Sequence, residues 1–198
     1  MIKMMTENEK KIFRFLLANF NADFSINEIA RACGLSPNGA YEILKKFEKK
    51  GVLLPKRIAN LKAYKINFDS LEAKKTLELA LIPDYSLSKI KYRYEDLKSL
   101  EKISQLCIIF GSYLTKKDPN DLDILFVIKK ADYKKYGELL EKAKETVPFK
   151  IHDIIQTKED LVENLKKQDK VIKEILAKGA ILWGQDFLIE VIKNVSER

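Results

Sequence analysis

The sequence predicts an α+β protein built from two domains, on three observations. Residues 5 to 68 follow a helix, helix, helix, hairpin order. From Gln105 onward, short apolar runs alternate with amphipathic segments, the pattern of strands interleaved with helices. The charge is also unevenly spread. Residues 1–70 carry 13 Lys+Arg against 7 Asp+Glu, a balance of +6, whereas residues 71–198 carry 24 against 22, a balance of +2. That excess suits a nucleic-acid-facing module, and it equally suits a lysine-rich solvated surface.

The first helix is expected in "TENEKKIFRFLLANF", where Thr6 and Glu9 have capping-box spacing. Its apolar positions Ile12, Phe13, Leu16, Leu17 and Phe20 recur at helical spacing. "SINEIARACG" repeats the device with Ser25 and Glu28 and stops at Gly34. "SPNGAYEILKKFEKKG" places Ser36 at the cap and Pro37 at the first helical position, then closes on lysines and Gly51. Two β-rich runs, "VLLPKRI" and "LKAYKINF", follow, joined at Ala59-Asn60. "SLEAKKTLELAL" and "KYRYEDLKSLEKIS" are amphipathic helices separated by a break at Pro83. The expected organisation is a first domain over 1–69, a helical connector over 70–95 and a second domain over 96–198.

In the second domain, "QLCIIFG", "DLDILFVIK", "FKIHDIIQT" and "AILWG" are the expected strands. "YKKYGELLEKAKETV", "KEDLVENLKK", "QDKVIKEILAKG" and "QDFLIEVIKNV" are the expected helices. Trp183 and Tyr92, Tyr94, Tyr133 and Tyr136 are read as packing or surface residues.

Several function classes are disfavoured. The two cysteines, Cys33 and Cys107, lie far apart inside apolar patterns and are read as small buried hydrophobes, not a disulfide or zinc site. One histidine, His152, leaves no room for a His-dominated metal site. No apolar run approaches bilayer length, and Met1 to Lys11 lacks a signal-peptide core, so a cytoplasmic protein is expected.

The segment from Ile108 to Ile128, "IIFGSYLTKKDPNDLDILFVI", carries the chemistry. Side chains alternate along a strand, so Asp121 and Asp123 project to one face. Two carboxylates one pleat apart can chelate a hard divalent cation, and Mg²⁺ suits a few carboxylates plus water and phosphate oxygens. Gly111 lets a phosphate approach the backbone, with Ser112 opening a short helix. "DPND" is also a turn signal, which accounts for Asp118 and Asp121 but not for Asp123 inside its apolar run. His152, beside Asp153, points to the opposite strand face and is read as structural or exposed.

Two resemblances follow. "SINEIARACGLSPNGAYEILKKFEKKGVL" resembles the winged helix-turn-helix family of DNA-binding domains over roughly residues 5 to 68. The likeness implies that the third helix enters the major groove, with Asn38 and Tyr41 near base edges and Lys45, Lys49, Lys56 and Arg57 on phosphates. Such folds also dock proteins or dimerise, so a partner protein or a homodimer stays open. "IIFGSYLTKKDPNDLDILFV" resembles the polymerase-β type nucleotidyltransferases, and more narrowly the minimal nucleotidyltransferases, over about residues 96–192. That likeness implies an α/β domain with a mixed sheet and two Mg²⁺ ions on Asp121, Asp123 and a third carboxylate from a later strand. The only acidic residue in "FKIHDIIQT" is Asp153, which takes that role. Gly111, Ser112, Lys116 and Lys117 are expected to hold the triphosphate of an NTP, ATP by preference. The implied activity is transfer of a nucleoside monophosphate to a hydroxyl on a protein or small molecule. Members of the family are often partnered with small helical toxins. The alternative is a transcription regulator whose second domain senses a nucleotide with little turnover.

Overall fold

A computed structural model describes residues 5–58, 61–85 and 87–197. The chain divides into two compact units, Met1–Leu81 with Ile192–Arg198, and Ile82–Val191. The stretch 70–95 is therefore shared between the two units. No helix among the described residues is long and apolar enough to cross a membrane.

In the first unit, α1 (Glu7–Ala18) opens on the expected box: the Thr6 N–H donates to Glu9 Oε2 at 2.8 Å, and the Glu9 N–H donates back to Thr6 Oγ1 at 3.3 Å. A two-residue strand, β1 (Phe24–Ser25), precedes α2 (Ile26–Cys33), whose Ser25–Glu28 box is also formed. α2 ends at Gly34 with φ +66°, a conformation glycine adopts without steric cost. α3 (Pro37–Lys49) buries Ala40, Leu44 and Phe47, and the Phe47 ring meets Phe13 edge to face at 4.7 Å. β2 (Leu53–Ile58) and β3 (Leu61–Ile66) pair antiparallel, and β1 adds to β3, giving the order β1-β3-β2. The expected turn at Ala59-Asn60 lies outside the described residues. α4 (Leu71–Leu81) packs on α1, and the Arg14 guanidinium donates to the carbonyls of Ala80 and Leu81 at its last turn.

The second unit begins with α5 (Ser88–Leu97). β4 (Ser104–Phe110), the single-turn α6 (Ser112–Thr115) and β5 (Asp121–Ile128) come next. α7 (Tyr133–Thr146), β6 (Lys150–Gln156), α8 (Lys158–Lys166), α9 (Lys170–Lys178) and β7 (Ala180–Trp183) follow, and α10 (Gln185–Ser196) is divided between the two units after Val191. The sheet order is β6-β5-β4-β7. β4 pairs antiparallel with β5 and β7, while β5 and β6 run parallel across the α7 crossover, so the sheet is mixed. β5 is central and β6 is an edge strand.

One face of β5 presents Leu122, Ile124, Phe126 and Ile128 to a core that includes Tyr136, Leu140 and Ala143 of α7 and Ile90 and Leu97 of α5. α8 and α9 contact β4, β5 and β6. Trp183 is buried as a packing residue, its indole N–H donating to Ser104 Oγ at 3.0 Å. Cys33 and Cys107 are both buried free thiols, as expected.

Candidate active site

The strand alternation of β5 places Asp121 and Asp123 half-buried on one face, with Leu122 and Ile124 fully buried on the other. Phe110, at the end of β4, is the register partner of Asp123, so the Gly111 turn opens directly beside the carboxylate. Gly111 has φ +72°. A Cβ added there would run into Oδ2 of Asp123. Glycine is thus required twice, once by the backbone angle and once by the space the carboxylate fills.

α6 is fastened to α5 from behind. The Lys89 ammonium donates to the carbonyls of Leu114 at 3.0 Å and Tyr113 at 3.4 Å. The Tyr113 hydroxyl donates back to the Lys89 carbonyl at 3.1 Å. The orphan carbonyls of this short turn thereby find donors, and Ser112 is held next to Gly111.

A cleft of about 320 Å³ adjoins Gly111. Phe110, Leu114, Val171 and Ile175 supply apolar walls, and Thr115, Glu174 and Lys178 the polar ones. Lys178 pairs with Glu174 at 2.9 Å. Lys116 and Lys117, expected at the triphosphate, are exposed in the loop after α6 and are not among the residues lining this cleft. The cation that does line it, Lys178, was missed because α9 reaches Gly111 only through the tertiary fold.

The expected convergence of three carboxylates is corrected by the strand register. In the parallel β5–β6 pair, His152 stands opposite Asp123, whereas Asp153 stands opposite Ile124 on the other face. There the Asp153 carboxylate accepts a hydrogen bond from the Tyr136 hydroxyl at 3.1 Å. Burial, and then the neighbouring Asp153, push the Tyr136 hydroxyl far above its ordinary pKa, so it stays a donor. The structure therefore brings Asp121, Asp123 and His152 to one face and does not bring Asp153 to them. His152 Nδ1 lies 3.5 Å from Asp123 Oδ1. Among the described residues, no three His, Cys, Asp or Glu side chains gather into a ready-made metal cage. Two carboxylates nonetheless fit Mg²⁺, which binds through one or two such groups and completes its shell with water and phosphate oxygens.

On the first unit, Asn38 is exposed in the opening turn of α3, and the Lys45 ammonium stands 5.2 Å from the centroid of the Tyr41 ring. Lys49 and Arg57 are exposed. Lys56 is ion-paired with Asp23.

Residues 94–188 match the model of the polymerase beta nucleotidyltransferase family, and residues 5–53 match that of winged helix-turn-helix DNA-binding domains. No curated protein and no solved structure matches the chain. The strand–Gly-Ser–Asp-x-Asp arrangement and the mixed sheet agree with the first match, and the three helices with their wing agree with the second. The chain thus carries a region similar to winged helix-turn-helix DNA-binding domains, followed by one similar to polymerase beta nucleotidyltransferases.

Proposed function

We propose that the second unit transfers a nucleoside monophosphate from an NTP, ATP by preference, to a hydroxyl on a protein or small molecule. In this reading the acceptor oxygen bonds to the α-phosphorus, the bond from that phosphorus to the oxygen bridging the β-phosphate breaks to release pyrophosphate, and the hydroxyl proton passes to water. The observation that carries it is the pairing of Asp121 and Asp123 on one face of β5 beside Gly111 and Ser112. Asp121 and Asp123 would hold the divalent cation. When bound, that cation neutralises triphosphate charge and lowers the pKa of the attacking hydroxyl. Gly111 lets the Asp123 carboxylate lie against the backbone, and Ser112 offers a phosphate a hydroxyl donor. The apolar wall of Phe110, Leu114 and Ile175 suits the face of a nucleobase, with Thr115 and Lys178 at the rim. The first unit would carry this chemistry to DNA or to a protein partner.

The test is incubation of the full chain with α-labelled ATP, Mg²⁺ and cell extract. Label should reach an acceptor, and Asp121→Asn or Asp123→Asn should abolish transfer. No transfer under any divalent cation, together with unchanged nucleotide affinity in both variants, removes the proposal. The position of Asp153 away from the pair favours a second reading, a nucleotide sensor with slow turnover that sets DNA affinity. That reading requires ATP to change DNA binding without label transfer.

A further inference from the structure

β6 supplies a nitrogen donor where a third carboxylate was expected. Parallel register partners share a face, so His152 is on the Asp123 side of the sheet. Asp153, the only acidic residue in the strand, is engaged by Tyr136 on the other side. The imidazole is about half exposed, with 47% of its side-chain surface accessible, and its Nδ1 is 3.5 Å from Asp123 Oδ1. Donor atoms that share one ion at about 2.1 Å each stand about 3 Å apart when adjacent, so a small rotation brings both to one cation. Lys150 is the register partner of Asp121, so β6 brings no other acidic donor to this face.

We propose that His152 is a ligand of the divalent cation held by Asp121 and Asp123, and that it shifts the site's preference from Mg²⁺ toward Mn²⁺. The inference rests on the nucleotidyltransferase reading above. Mg²⁺ is a hard ion that favours oxygen, whereas imidazole nitrogen suits the later, softer divalent metals, and affinity at a nitrogen-containing site rises along the first transition row. An Asp, Asp, His set therefore discriminates where an all-carboxylate set does not.

The test uses the full chain, with any purification tag removed, and Mn²⁺ or Mg²⁺ alone as the probe. His152 is the single histidine, so an imidazole ¹⁴N coupling in the pulsed electron paramagnetic resonance spectrum of bound Mn²⁺ assigns itself. The coupling is expected in the unmodified chain and in Asp153→Asn, and it should vanish in His152→Ala. By titration calorimetry, His152→Ala should lower the Mn²⁺-to-Mg²⁺ affinity ratio about tenfold. His152→Asp should lower that ratio as well, by tightening Mg²⁺. Circular dichroism checks that each variant is folded. Mn²⁺ binding that depends on Asp123 but shows no ¹⁴N coupling overturns the role of His152 and leaves the proposed activity standing. Failure of Asp123→Asn to weaken either metal overturns the metal site itself, and the proposed activity with it.

Discussion

The Tyr136 hydroxyl donates to the Asp153 carboxylate at 3.1 Å, on the side of the sheet away from Asp121 and Asp123. This contact ties α7 to β6. Asp153→Asn should retain divalent-metal affinity and label transfer within about twofold, while costing about 1–2 kcal/mol in urea unfolding. Tyr136→Phe should cost a similar amount, and the double variant less than the sum. Loss of metal binding in Asp153→Asn with the fold intact would restore it to the site.

Gly111 offers a sharper probe of the site. Gly111→Ala combines a positive-φ, extended backbone conformation, worth about 1–3 kcal/mol of strain, with a clash against the Asp123 carboxylate. Label transfer should fall by at least about 100-fold in kcat/KM, a loss of about 2.7 kcal/mol in transition-state stabilisation. Wild-type kinetics in this variant would mean that substrate does not pass beside Asp123.

Acid should loosen the first unit through Glu9. Its side chain is only 7% exposed and is ion-paired to Lys46. Burial works to raise its pKa, but the Lys46 ammonium and the Thr6 N–H and hydroxyl outweigh it and hold the group below 4.5. A carboxylate lowered on folding contributes stability above 4.5, and that contribution is lost as pH falls through the lower folded value. Between pH 6 and pH 3, the wild type should therefore lose more stability than Glu9→Gln, as read by urea midpoints. Lys46→Met at pH 7 should cost about 1–3 kcal/mol, because it leaves a buried carboxylate without its cation.

DNA binding by α3 and its wing should be graded by how free each cation is. Lys49 is exposed, whereas Lys56 is held by Asp23. Lys49→Ala should reduce the salt slope of DNA affinity by about 1, and Lys56→Ala by less. Asn38→Ala should relax sequence preference while leaving the slope unchanged, since a neutral side chain displaces no counterions. Fluorescence anisotropy across a salt series checks all three.

Both thiols should resist thiol–disulfide exchange in the native protein. Burial pushes Cys33 up to about 11, and desolvation carries Cys107, fully enclosed in β4, well above its ordinary value. Reaction with an aromatic disulfide reagent should appear only with denaturant.

Local signals in the chain announced most of these elements. Thr6 with Glu9, Ser25 with Glu28, Ser36 and Gly34 mark helix ends through short-range hydrogen bonds, and those marks are where the helices begin and stop. Asp121 and Asp123 could be placed on one face because a strand's period is two whatever lies beside it. The face of Asp153 could not. Alternation says that His152 and Asp153 oppose each other, but which of them meets Asp123 depends on register. That register is set by how α7 and residues 147–149 return the chain to the sheet. β1, with two residues, is too short for any periodicity to reveal. The Gly111 cleft joins residues about sixty positions apart, and no local pattern links α6 to α9.

The candidate ligands belong to strands of unequal permanence. β5 has a neighbour on each side, whereas β6 has one, so β6 can detach without dismantling the sheet. Amide protons of β6 should exchange with solvent sooner than those of β5, and cation binding should slow the former selectively. Metal occupancy would then report on, and regulate, the docking of the outermost ribbon.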